Sequence, residues 1–72
     1  MISILAMLVI LNPYTAIEAD TITGVYVQRG DGNVRVEFAD IDGKLALTAS
    51  SHSFEETVKM INEAKSSRLH IK

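Results

Sequence analysis

VYVQRGDGNVRVEFADIDGKLALTA, residues 25–49, is the stretch that decides the fold. Asn33 to Ala39 alternates: Val34, Val36 and Phe38 point one way, Arg35, Glu37 and Ala39 the other, the period of a half-buried strand. Upstream, Thr21 to Gln28 is rich in Thr, Val, Ile and Tyr and predicts another strand. Arg29-Gly30-Asp31-Gly32 between them is a hairpin turn signal. With Gly30-Asp31 as the loop, Val27 opposes Val34 and Val25 opposes Val36, so all four valines share a face. Downstream, Asp40-Ile41-Asp42-Gly43 marks a second turn, with Asp-Gly a favoured type I′ pair. A two-residue Asp42-Gly43 loop sets Phe38 against Leu47 and Val36 against Ala49, in a strand from Lys44 to Ala49. The expected core face is then Val25, Val27, Val34, Val36, Phe38 and Leu47. The opposite face holds Tyr26, Arg35, Glu37, Ala39, Ala46 and Thr48. Side chains alternate with period two, so slipping the register by one residue exchanges the faces.

After this sheet, Ser53-Phe54-Glu55-Glu56 is a capping box, which predicts a helix running to about Ala64 or Lys65. Phe54, Val58 and Ile61 form its expected apolar stripe, flanked by Thr57 and Ala64. Ser66-Ser67 breaks the pattern, and residues 66–72 read as a frayed basic tail or a short last strand with Leu69 and Ile71. Before the sheet, Ile2 to Leu11 is short, apolar and rich in β-branched residues, so it reads as a strand that Asn12-Pro13 ends. Tyr14 to Asp20 carries no clear pattern. The expected fold is α+β, one domain over 1–72. Its small antiparallel sheet has four or five strands, and one C-terminal helix packs on one face (β-β-β-β-α).

Ten of the first eleven residues are apolar, and Ser3 is the exception. A 72-residue chain buries only about 60% of its unfolded surface and is marginal without a staple. There is no cysteine to provide one. Such a chain finds stability by oligomerising, and Ile4, Ala6, Leu8 and Ile10 are the expected oligomer interface. The competing reading is an exported or membrane-associated protein anchored by residues 1–11. No Lys or Arg precedes the run, unlike a secretory n-region, and the run is shorter than the roughly 20 apolar residues of a bilayer span. The expectation is therefore a buried strand in a cytoplasmic protein.

Composition narrows function. A net charge of −2 disfavours a general nucleic-acid binder, although Lys65, Arg68, His70 and Lys72 make the C-terminus locally basic, and a nucleic-acid accessory protein using that tail is the weaker alternative. His52 among Ser50, Ser51 and Ser53 brings a nucleophile–base pairing to mind, but no nucleophile elbow or oxyanion loop accompanies it. Capping chemistry explains those serines. Asp40-Ile41-Asp42-Gly43 resembles part of a calcium loop, yet the twelfth position from Asp40 is Ser51 instead of Glu. Arg29-Gly30-Asp31 matches an integrin-type tripeptide, and turn chemistry accounts for it. No cofactor, metal ligand set, small-molecule substrate or catalytic residue is expected.

Leu11-Asn12-Pro13, the Gly-turned hairpin, and Ser53-Phe54-Glu55-Glu56 leading into Val58 and Ile61 are locally similar to the small flagellar and swarming-motility proteins of the FlbD type. The similarity spans residues 11–64 and implies a short, strand-rich chain with one C-terminal helix. The apolar start and longer middle depart from that pattern. The expected function is a non-catalytic protein-interaction module, a homo-oligomer acting as an accessory or regulatory protein of phage or bacterial type. Tyr26, Arg35 and Glu37 on the mixed face are the candidates for partner contact, because Tyr and Arg are enriched at binding hot spots.

Overall fold

The computed structural model describes residues 7–69, the last three by backbone alone. Ile4, Ala6 and the expected strand residue Ile71 lie outside that range. Five strands precede one helix: β1 (Leu8–Asn12), β2 (Thr15–Glu18), a 3-10 turn (Ala19–Thr21), β3 (Ile22–Val27), β4 (Val34–Ala39), β5 (Leu45–Ser50) and α1 (Phe54–Leu69). The class is α+β, but the single sheet expected from the sequence is two antiparallel sheets, β1-β2 and β3-β4-β5.

The division begins at Asn12-Pro13. The Asn12 carboxamide oxygen accepts the Tyr14 N–H at 2.9 Å, so the chain reverses at once instead of leaving β1 free for the larger sheet. Val9 then faces Ile17, and Ile10 faces Ala16. The patternless segment Tyr14 to Asp20 thus contains a strand. It escapes a sequence reading because it has four residues, of which Ala16 is exposed and Ile17 only half-buried.

The β3-β4 register is the expected one, with Val25 opposite Val36 and Val27 opposite Val34. The loop spans Arg29 to Gly32, closed by a 2.8 Å bond from the Gln28 N–H to the Asn33 carbonyl. Two residues or four give the same parity. The β4-β5 register differs by one residue: Phe38 faces Ala46, Val36 faces Thr48 and Glu37 faces Leu47. Three residues, Ile41 to Gly43, form this loop. The Gly43 N–H reaches the Asp40 carbonyl at 2.9 Å, and the Asp40 N–H reaches the Lys44 carbonyl at 2.8 Å. The Asp40 carboxylate accepts the N–H groups of Asp42 and Lys44, both at 2.9 Å. Gly43 takes a φ of +80°, a left-handed turn residue followed by β5. Leu47 therefore leaves the core face, while Ala46 and Thr48 join it.

Gly43→Ala tests this loop. No atom lies within 4 Å of where its Cβ would stand, so the only penalty is conformational. The expected loss is about 1–2 kcal/mol, read as a fall in melting temperature of about 4–8 °C per kcal/mol. Gly24→Ala is the control: its backbone is not left-handed, and the added carbon meets Tyr26 and Glu37 at ordinary contact distances.

The core lies between the two sheets and the helix: Val9, Leu11, Ala19, Ile22, Val36 and Ile61, with Ile17, Val25, Phe38, Met60 and Ala64 packed around them. Ser53 caps α1, its hydroxyl accepting the Glu56 N–H at 3.1 Å. The buried side of the helix is turned from the expected stripe. Thr57 is fully buried and Ile61 is 5% exposed, whereas Phe54 is 41% exposed. The 2.8 Å bond between the Thr57 and Ser50 hydroxyls aims this side at β5. Helix also continues through Ser66-Ser67 to Leu69, so residues 66–69 are neither a tail nor a strand. Serine costs a helix only tenths of a kcal/mol, and Lys65, whose ammonium donates to the Ile22 carbonyl at 3.2 Å, ties down the preceding turn.

A candidate interaction face on the outer side of the sheet

The face of β3-β4-β5 turned from the helix is built by strand alternation and by the three-residue β4-β5 loop. Across it, Tyr26 neighbours Arg35, which neighbours Ala49, while Gly24, Glu37 and Leu47 form the next row, and Ala39 pairs with Leu45. The three partner candidates, Tyr26, Arg35 and Glu37, thus lie together. Sequence reasoning missed Leu45 and Leu47, which the odd loop brings to the same face. They are 62% and 56% exposed, and Tyr26 is 41% exposed.

The charged side chains here are held rather than free to sweep solvent. Arg35 Nε donates to Gln28 Oε1 at 2.7 Å, and its guanidinium lies 3.6 Å from the Asp31 carboxylate. Glu37 accepts the Thr23 hydroxyl at 2.7 Å. A bulge between Ile22 and Gly24 presents that hydroxyl to Glu37. Partial desolvation, and then the nearby Glu37 carboxylate, hold the Tyr26 hydroxyl above the usual tyrosine range. At neutral pH Tyr26 is a neutral group whose hydroxyl is directed at the Glu37 carboxylate.

The other sequence candidates fall elsewhere. His52 bridges β1 and α1: its Nε2 is 3.3 Å from the Ile10 carbonyl and its Nδ1 is 3.5 Å from the Glu56 carboxylate. The serines around it serve the junction: the Ser51 hydroxyl donates to the Leu11 carbonyl at 3.2 Å, and the Ser50 hydroxyl meets Thr57. Asp31 and Asp40 use their carboxylates to close turns. Leu8 and Ile10, the described members of the expected oligomer interface, are 59% and 61% exposed, on the side of β1 away from buried Val9 and Leu11. A shallow depression of about 620 Å³ runs along Phe54, Val58, Lys59 and Asn62 of α1, apart from Tyr26 and Arg35. Among the described residues, no helix is long and apolar enough to cross a membrane.

No family model, curated protein or solved structure matches this chain. The local likeness of its turn and cap residues to the small motility proteins therefore assigns no family.

Proposed function

We propose that this chain is a non-catalytic interaction module that binds another protein through the outer face of β3-β4-β5. The supporting observation is the composition of that face. Two exposed leucines adjoin a tyrosine and a hydrogen-bonded arginine, a mixture of apolar area and oriented polar groups typical of protein contacts. Held in place by Gln28 and Asp31, Arg35 has less side-chain entropy to lose when a partner arrives. The accessory role, and a phage or bacterial setting, belong to the same proposal.

The test compares immobilised chain with its Tyr26→Ala/Arg35→Ala variant in extracts of the source cell. A protein retained by the first is expected to be lost from the second. A single hot-spot residue contributes at least ~2 kcal/mol, so the loss of even one of the two lowers affinity by about 30-fold or more. Both residues are substantially exposed or on the outer face, and circular dichroism should show the fold unchanged. Equal retention by the two baits removes the face from consideration.

A further inference from the structure

Four strand edges have no ladder neighbour among the described residues: those of β1, β2, β3 and β5. Exposed edges invite pairing with other chains, and proteins blunt them with bulges, charges or covering side chains. Three are blunted here. On β1, the Ile10 carbonyl faces the His52 ring and the strand is broken by an irregularity before Asn12. On β2, which has four residues, the Glu18 carbonyl accepts the Thr21 hydroxyl at 2.8 Å. β3 is kinked by its bulge, and Lys65 takes the Ile22 carbonyl.

β5 is covered only at its C-terminal end, where Asn12 reaches Ala49. Its sequence, Leu-Ala-Leu-Thr-Ala-Ser, holds no charge, proline or glycine, and its register against β4 is regular throughout. The 2.8 Å bond between Asp40 and Lys44 fixes which groups face outward. Lys44, Ala46, Thr48 and Ser50 bond toward β4, so the N–H and C=O groups of Leu45, Leu47 and Ala49 point away from it. The Asn12 carboxamide confirms the alternation by donating to the Ala49 carbonyl at 2.7 Å, which closes that end. The open edge is Leu45 and Leu47.

We propose that a second copy of this chain docks here, β5 against β5 antiparallel, about a twofold axis through Ala46. This deepens the interaction-module reading by naming one partner. Leu45 of each copy then opposes Leu47 of the other. The two pairs exchange four N–H···O bonds and join the two three-stranded sheets into one. A register centred on Leu47 is excluded, because it would need the Ala49 carbonyl that Asn12 already holds.

Self-complementarity selects a second copy over an unrelated chain. The twofold sets exposed leucine against exposed leucine, small Ala46 against itself, and Lys44 against Thr48, with no like charges opposed. It also carries the β4-β5 loop of one copy toward the Asn12–Tyr14 turn of the other. Ile41 on that loop is fully exposed and Tyr14 is 96% exposed, and the arrangement gives both a neighbour.

The full chain is expected to sediment as a dimer. Since it lacks cysteine, single-cysteine variants report the register. Ala46 faces its own copy in a non-hydrogen-bonded pair, with Cα atoms about 4.5 Å apart, within the range a disulfide spans. Thr48 lies four positions out of register with its copy. Ala46→Cys should form a disulfide dimer at least roughly tenfold faster than Thr48→Cys. Leu47→Pro removes an N–H that the monomer does not use, so it should raise the dimer dissociation constant at least tenfold while leaving the fold intact. Leu47→Lys is the substitute if proline prevents folding. A chain that is monomeric at all concentrations overturns the proposal, as does a dimer that persists in the Leu47 variants without Ala46→Cys cross-linking. If the chain is monomeric while the Tyr26→Ala/Arg35→Ala bait still loses its partner, the dimer falls and the interaction reading stands.

Discussion

Leu11→Ala is expected to cost the chain about 2–5 kcal/mol of its stability. Leu11 is fully buried and belongs to the cluster that joins β1 to Ile22, Val36 and Ile61. Its carbonyl already binds the Ser51 N–H at 2.8 Å, so an alanine keeps the backbone junction and loses only packing. Truncating a buried leucine costs about 2–5 kcal/mol, with the cavity left behind setting the upper end. Net stability is about 0.05–0.15 kcal/mol per residue, on the order of 4–10 kcal/mol for a chain of this length. The substitution thus consumes between a fifth and all of it. Urea unfolding followed by circular dichroism measures the loss. Ile10→Ala, one residue away and 61% exposed, should cost less than about 1 kcal/mol. If Ile10→Ala is as damaging as Leu11→Ala, the outer side of β1 is covered by another molecule and the oligomer contacts through Leu8 and Ile10.

The second large effect separates the two sides of the main sheet. Val36→Asp places a carboxylate at a position with no exposure, at the centre of β4, among apolar neighbours. A buried charge without a partner costs several kcal/mol even when the group takes up a proton instead. Val36→Asp should therefore fail to give a cooperative unfolding transition. At protein concentrations too low for dimerisation, Leu47→Asp should fold with a transition close to that of the parent, because Leu47 is 56% exposed and faces outward. Equal damage from both would return Leu47 to the helix side and restore a two-residue loop at Asp42-Gly43.

That loop shows where sequence reading ends. Asp42-Gly43 suits a two-residue loop with glycine at its second position, and equally a three-residue loop closed by a left-handed glycine. The choice between them rests on whether the Asp40 carboxylate gathers the N–H groups of Asp42 and Lys44, a contact no periodicity reveals. One residue of difference carries Leu45 and Leu47 into the candidate face and opens the edge proposed for dimerisation. The Val25–Val36 and Val27–Val34 pairs were legible because an even loop of either length gives them. Tyr26, Arg35 and Glu37 were placed on one face by alternation alone, a property the chain carries locally.

Sequence by itself determined the class, the two-sided character of β4, the turn positions and the cap of α1 at Ser53, since each depends on neighbouring residues through short-range geometry, whereas Val27 of β3, expected in the core, is 48% exposed. Tertiary structure decided the rest: β1 pairs with a segment lacking pattern, the helix turns Thr57 and Ile61 inward, and Ser66-Ser67 stays helical. These outcomes compare contacts between residues far apart in the chain. The bonds of Thr57 to Ser50, Lys65 to Ile22 and Asn12 to Ala49 outweigh local preferences of a few tenths of a kcal/mol.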